Sequence, residues 1–137
     1  MRNSFLMDKL FLSDLYINPT LLYWSLQQQP ELWNQNTSRT ESPKSPHREM
    51  DDIWVRSGEG EGAFHSEWLE PANKLPLRPI VSQMMLSIGA AELGGILITR
   101  VPPGKTCYPH IDQGWHASYY DKMGISNHLG TRAEILR

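Results

Sequence analysis

The run Leu93–Tyr120, LGGILITRVPPGKTCYPHIDQGWHASYY, constrains this chain more than any other. It reads as a strand from Ile96 to Val101, a tight Pro102-Pro103-Gly104 turn, and a returning strand from Thr106 to Asp112. Proline presets one turn dihedral and glycine tolerates the other. Side chains alternate across an extended chain, so Thr106, Tyr108, His110 and Asp112 are expected on one face. An imidazole and a carboxylate placed together, His110 and Asp112, can grip one cation. With one further histidine such a pair makes the facial ligand set of non-haem Fe(II) sites. Cys107 falls on the opposite face by the same alternation and reads as a small packed residue. Gly114 lets the backbone bend after the carboxylate, with Trp115 to Tyr120 continuing in extended form.

The segments before this run supply its packing. Lys9 to Ile17 reads as an edge strand. Asn18-Pro19 signals a helix start, with Leu22 and Leu26 one turn apart and facing inward. Pro30 ends that helix or opens a short turn through Leu32 and Trp33. Gln35 to Met50 is polar, carries two Ser-Pro pairs and reads as a long surface loop. Within it, Arg39, His47 and Arg48 are the groups suited to an acidic substrate. Asp52 to Arg56 is a short strand, Gly58 to Gly62 a flexible turn, and Phe64 to Leu69 a further extended piece. His65 and Trp68, in that piece, read as structural. Leu77, Ile80, Val81, Met84, Met85 and Ile88 recur at helical spacing, which predicts an apolar stripe on a helix started by Pro76 and Pro79 and ended by Gly89. That helix is expected to cover one face of the sheet.

At 137 residues the chain is long enough for one domain with a core. A formal charge of -2 gives no electrostatic reason to expect nucleic acid as a partner. No apolar run reaches membrane-spanning length, and the N-terminus lacks the pattern of a signal peptide. A single cysteine, unable to form an internal disulfide, suits a reducing cytoplasm.

Taken together, LGGILITRVPPG, YPHIDQGWH and YYDK resemble the aspartyl/asparaginyl β-hydroxylase family of Fe(II)- and 2-oxoglutarate-dependent dioxygenases, most closely its small bacterial and phage-borne members. PELWN, the Arg39 segment, SPHREMDDIWVR and HSEWLEPANKLPLRPIV are similar to the lead-in of those proteins. The resemblance spans roughly Asn18 to Lys122. It implies an α+β chain built as a partial double-stranded β-helix, a cupin-like jelly roll, with N-terminal and central helices on the sheet. It implies Fe(II) held by His110 and Asp112, 2-oxoglutarate as co-substrate, and hydroxylation of an unactivated carbon in a small-molecule or peptide substrate. Trp115 and Tyr108 are expected to wall the cavity, and His116 to support the site from outside the ligand set or to be structural.

The pattern departs from that family after Lys122. The family's distal metal histidine and its carboxylate-anchoring basic residue find no matching surroundings at His128 or Arg132. The residues from 123 to 137 read as a divergent tail in which Thr131 to Arg137 forms at most a helical turn. A truncated family member, the N-terminal portion of one domain, explains this, and its unpaired edges would favour self-association. Two other readings stand beside it. One is a non-catalytic remnant. The other is a β-rich binding module whose surface uses Tyr108, Trp115, Tyr119 and Tyr120.

Overall fold

The computed structural model describes residues 10–58, 66–120, 122–125 and 132–136. Most of the Gly58–Gly62 turn, together with Phe64, His65 and His128, lies outside the described residues. The described chain is α+β. Two three-stranded sheets are formed, each antiparallel throughout.

The first sheet to be completed in sequence is centred on β2 (Asp51–Ser57), with β3 (Glu67–Trp68) on one side and β4 (Ile96–Arg100) on the other. β2 is buried on both faces: Asp52 on one, Ile53 and Val55 on the other. Ile53 and Val55 join Leu32, Ala72, Leu75, Leu77 and Val81 in the core. The helices supply the rest of that core. α1 (Thr20–Gln28) starts where Asn18 accepts the Thr20 N–H at 3.0 Å, and it rests Leu22 and Leu26 on the cluster. Pro30–Leu32 is a 3₁₀ turn that drives Leu32 to full burial. α2 (Pro71–Lys74) contributes Ala72. α3 (Arg78–Ile88) buries Val81 and leans Met85 on the core, so the expected stripe is in place. Gly89 closes α3 in the left-handed conformation, φ 62°, with its N–H bonded to the Leu86 carbonyl.

β4 does not pair with a returning strand, as the sequence led us to expect. It pairs with β2, from Asp51↔Arg100 to Arg56↔Ile96, and the register slips between Trp54 and Arg56. The Pro-Pro-Gly turn does form: the Lys105 N–H reaches the Pro102 carbonyl at 3.0 Å and Gly104 takes φ 75°. Beyond it, Thr106 to Asp112 is irregular backbone, not a strand. Pro109 explains the difference. It has no N–H to give a ladder, and prolines are held to sheet edges or excluded from strands. The continuation is also different. Trp115–Tyr119 is a helical turn, α4, entered from Gly114 and closed by the Tyr120 N–H on the His116 carbonyl.

The tail also differs from the expectation. Lys122–Ile125 (β5) and Arg132–Leu136 (β6) are strands, and β6 lies between β5 and β1 (Leu10–Tyr16). Arg132–Leu136 is therefore a central strand, in a stretch where a helical turn was expected. A segment this short is marginal as a helix, and ladders on both sides satisfy its backbone groups instead. The N-terminal strand reads correctly from sequence as an edge strand, but its partner, β6, comes from the opposite end of the chain.

Asp51 and Arg100, directly opposite across the β2–β4 ladder, form an ion pair at 2.6 Å. Burial alone would raise the Asp51 pKa, but hydrogen bonds from Asn34 and Arg100 outweigh it and hold the carboxyl below its ordinary value. The folded state thus binds this proton less readily than the unfolded chain. The stabilisation is complete above the unfolded pKa, about 3.9, and is lost as pH falls through the lower folded value. Asp51→Asn is expected to cost about 1 kcal/mol at neutral pH. Urea melts at a series of pH values should show the gap from the parent protein closing as pH falls below the unfolded pKa. A gap that persisted unchanged at pH 2 would refute the ionic account.

Candidate metal site on two clasped loops

The long loop from 35 to 50 is folded back on the sheet through a buried carboxylate. Asp52 is fully buried on β2, and Arg39 meets it with two hydrogen bonds, Nε to Oδ2 at 3.0 Å and Nη2 to Oδ1 at 2.9 Å. The Arg39 carbonyl accepts the Ser45 hydroxyl, and Ser45 Oγ accepts the His47 N–H at 3.1 Å. A continuous chain of polar contacts therefore runs from the sheet interior to His47.

The second loop, Thr106 to Asp112, is fastened onto the first. The Tyr108 N–H bonds to the Pro46 carbonyl at 2.9 Å, and the Thr106 N–H to Glu49 Oε2 at 2.9 Å. The Arg48 guanidinium lies 3.5 Å from the centroid of the Tyr108 ring. These contacts bring His47 against His110, with ring centroids 4.3 Å apart and planes at 80°.

His110 and Asp112 do come together, though not by strand alternation. His110 Nε2 lies 3.2 Å from Asp112 Oδ1 and 3.0 Å from His47 Nε2. The other ring nitrogen, Nδ1, is 2.8 Å from the Tyr108 carbonyl. A carbonyl oxygen only accepts, so Nδ1 carries a proton there. In the neutral ring Nε2 is then a lone pair, aimed at a carboxylate and at a second imidazole. A neutral His47 ring that carries its proton on Nε2 donates to that lone pair, and a bound cation would relieve the remaining repulsion between His110 Nε2 and Asp112 Oδ1. A histidine whose second nitrogen is fixed on a backbone carbonyl is the usual posture of a metal ligand.

The surrounding charges favour the ligand-ready forms. Burial, with Arg39 and His110 nearby, holds the His47 pKa below its ordinary value, so the ring is neutral at pH 7. The hydrogen bond from Lys122, Nζ to Oδ2 at 2.7 Å, outweighs burial and holds the Asp112 carboxyl low, so that group is ionised. Cys107, expected to be packed, is exposed, because the segment is a surface loop. Its sulfur, with one nitrogen each of His47 and His110, belongs to a group of donor atoms all within 4.8 Å of one another.

Several expectations are revised at this site. Arg39 and Arg48 are committed to Asp52 and to the Ser45 carbonyl and Tyr108, so neither is held out toward an acidic substrate. The His110–Asp112 pair lies on an open surface, with side chains 25% and 44% accessible, where a walled cavity was expected. A shallow concavity does exist, lined by Leu32, Trp54, Leu69 and Pro71 among others, but it shares no residue with the histidine site. His116 sits on α4 and is exposed. Sequence reasoning missed His47 as a partner of His110, because no local spacing links residues so far apart. The one hint was the density of His and Arg in an otherwise polar loop.

Among the described residues, no helix is long and apolar enough to cross a membrane. Comparison of the chain with protein-family models, with curated proteins and with solved structures finds no match to any of them.

Proposed function

We propose that the protein binds Fe(II) through His110 and Asp112 and acts as a 2-oxoglutarate-dependent dioxygenase of the aspartyl/asparaginyl β-hydroxylase kind. The scaffold in this reading is a partial double-stranded β-helix, of which the antiparallel sheets with helices packed on β2 are the described part. One observation carries the proposal: the His-x-Asp pair converges, with His110 Nε2 3.2 Å from Asp112 Oδ1. The motif resemblance supports it. The donor set also fits, since Fe(II) takes imidazole nitrogen and carboxylate oxygen readily.

The chain's own residues have definable tasks. The Tyr108 backbone carbonyl fixes the His110 tautomer by accepting a hydrogen bond from Nδ1–H. Lys122 keeps Asp112 anionic and sets the orientation of its second oxygen. Bound Fe(II), with 2-oxoglutarate and O₂, supplies the oxidising power for hydroxylating an unactivated carbon, and succinate and CO₂ leave. The substrate is a small molecule or a peptide.

A second reading, a cation-binding but non-catalytic module, draws on the open position of the pair. An exposed site does not exclude water as oxidative chemistry requires. Two measurements on the same preparation decide between them. Anaerobic titration with Fe(II) is expected to give one site that Asp112→Ala weakens by more than about tenfold. Succinate formation from 2-oxoglutarate, dependent on O₂ and Fe(II), is expected with the parent protein and absent with His110→Ala. Iron binding without succinate formation supports the non-catalytic reading; Fe(II) affinity retained in Asp112→Ala refutes the ligand assignment.

A further inference from the structure

We infer that His47, Cys107 and His110 form a site for one thiophilic divalent cation of the Zn(II) class. The inference shares His110 with the dioxygenase reading but does not rest on it, because the other donors differ and the preferred ion differs.

The geometry is close to that of a bound site. One nitrogen each of His47 and His110 and the Cys107 sulfur all lie within 4.8 Å of one another, and the Nε2 atoms of the two rings are 3.0 Å apart. Tetrahedral zinc, with Zn–N of about 2.0–2.1 Å and Zn–S of about 2.3 Å, separates its donors by about 3.3–3.6 Å. Closing the remaining gap takes rotation of an exposed cysteine side chain. Cys107 is available for this: among the described residues its thiol makes only a 3.9 Å contact to the Tyr108 carbonyl.

The site is also supported from outside. Nδ1 of His110 donates to the Tyr108 carbonyl, which leaves Nε2 as the coordinating atom. The two loops that carry the donors are held to each other by the Tyr108–Pro46 and Thr106–Glu49 hydrogen bonds and by Arg48 over Tyr108. A thiolate with two imidazoles is a soft, nitrogen-rich set, which favours zinc over magnesium or calcium. Three protein donors leave a fourth position for water, on the side where Cys107 and His110 are open to solvent. Binding converts the thiol to thiolate and releases its proton to solvent.

Cobalt(II) is a suitable probe, because its coordination to sulfur gives an intense near-ultraviolet thiolate-to-metal charge-transfer band. Cys107 is the one cysteine of the chain, so the band identifies it without ambiguity. Metal-free protein titrated with Co(II) is expected to develop this band to one equivalent, and Zn(II) is expected to bleach it. Cys107→Ser should remove the band and weaken Zn(II) binding by more than tenfold. His47→Ala should weaken Zn(II) binding similarly. Cys107→His should retain Zn(II) binding while losing the band, and Asp112→Ala should keep both. Cys107 and Asp112 are exposed and His47 is half-buried, and circular dichroism of each variant checks that the fold is intact. A folded parent protein with no charge-transfer band, or a band that survives Cys107→Ser, overturns the assignment. So does Zn(II) binding that is lost in Asp112→Ala but unchanged in Cys107→Ser, since the cation would then sit on the His-x-Asp pair alone.

Discussion

Arg39→Ala is expected to destabilise the protein by about 3–5 kcal/mol, the usual cost of stranding one partner of a buried ion pair. Asp52 has no accessible surface, and Arg39 satisfies both of its oxygens. Removing the guanidinium leaves a carboxylate among the side chains of β2 with no countercharge. The loss is large against a total stability of about 5–15 kcal/mol for a domain. Urea unfolding of the parent, Arg39→Ala, Asp52→Ala and the double variant measures it. The double variant should be less damaged than the sum of the singles, because with both partners gone no charge is stranded. A loss under about 1 kcal/mol in Arg39→Ala would mean that water reaches the carboxylate, contrary to its burial. The same variant tests the link to the metal site. Through Ser45, Arg39 sets the backbone position of His47, so metal affinity at His47 should fall together with stability. Arg39→Lys restores the charge but not the paired geometry and should recover only part of either loss.

Leu32→Ala should cost about 2–5 kcal/mol, by the transfer free energy of the missing carbons and the cavity they leave. Leu32 is fully buried on a 3₁₀ turn and packs in the same cluster as Ile53 and Val55 of β2 and Val81 of α3. The turn is held by the Leu32 and Trp33 N–H groups on the carbonyls of Gln29 and Pro30, so the backbone resists collapse into the void. Leu32→Met, which conserves volume, should lose less than about 1.5 kcal/mol. Thermal and urea melts of both variants provide the comparison. Equal losses from alanine and methionine would place the requirement in side-chain shape and not in filled volume.

Elements governed by local rules were legible in advance. The apolar stripe from Leu77 to Ile88 became α3, Gly89 became its left-handed cap, and Pro102-Pro103-Gly104 became a turn. Asp52 to Arg56 became most of β2, and Lys9 to Ile17 most of β1. The returning strand does not form because alternation sets only the faces of an extended chain, while Pro109 lacks the amide that a ladder needs. The pairing of β4 with β2, and of β6 with β1, was not legible at all. A hydrophobic pattern names a strand's faces but not which distant backbone will satisfy its edges.

The sequence by itself determined the start of α1 and both ends of α3, which residues are apolar enough for a core, and that His110 and Asp112 stand two positions apart. Those properties depend on dihedral preferences and side-chain chemistry within a few residues. Only the tertiary structure decided that His47 meets His110, that Cys107 faces solvent beside them, and that a buried Asp52 anchors the loop that makes this so. Such contacts close over tens of residues. They depend on which loops the sheet brings together, and no short-range pattern encodes that choice.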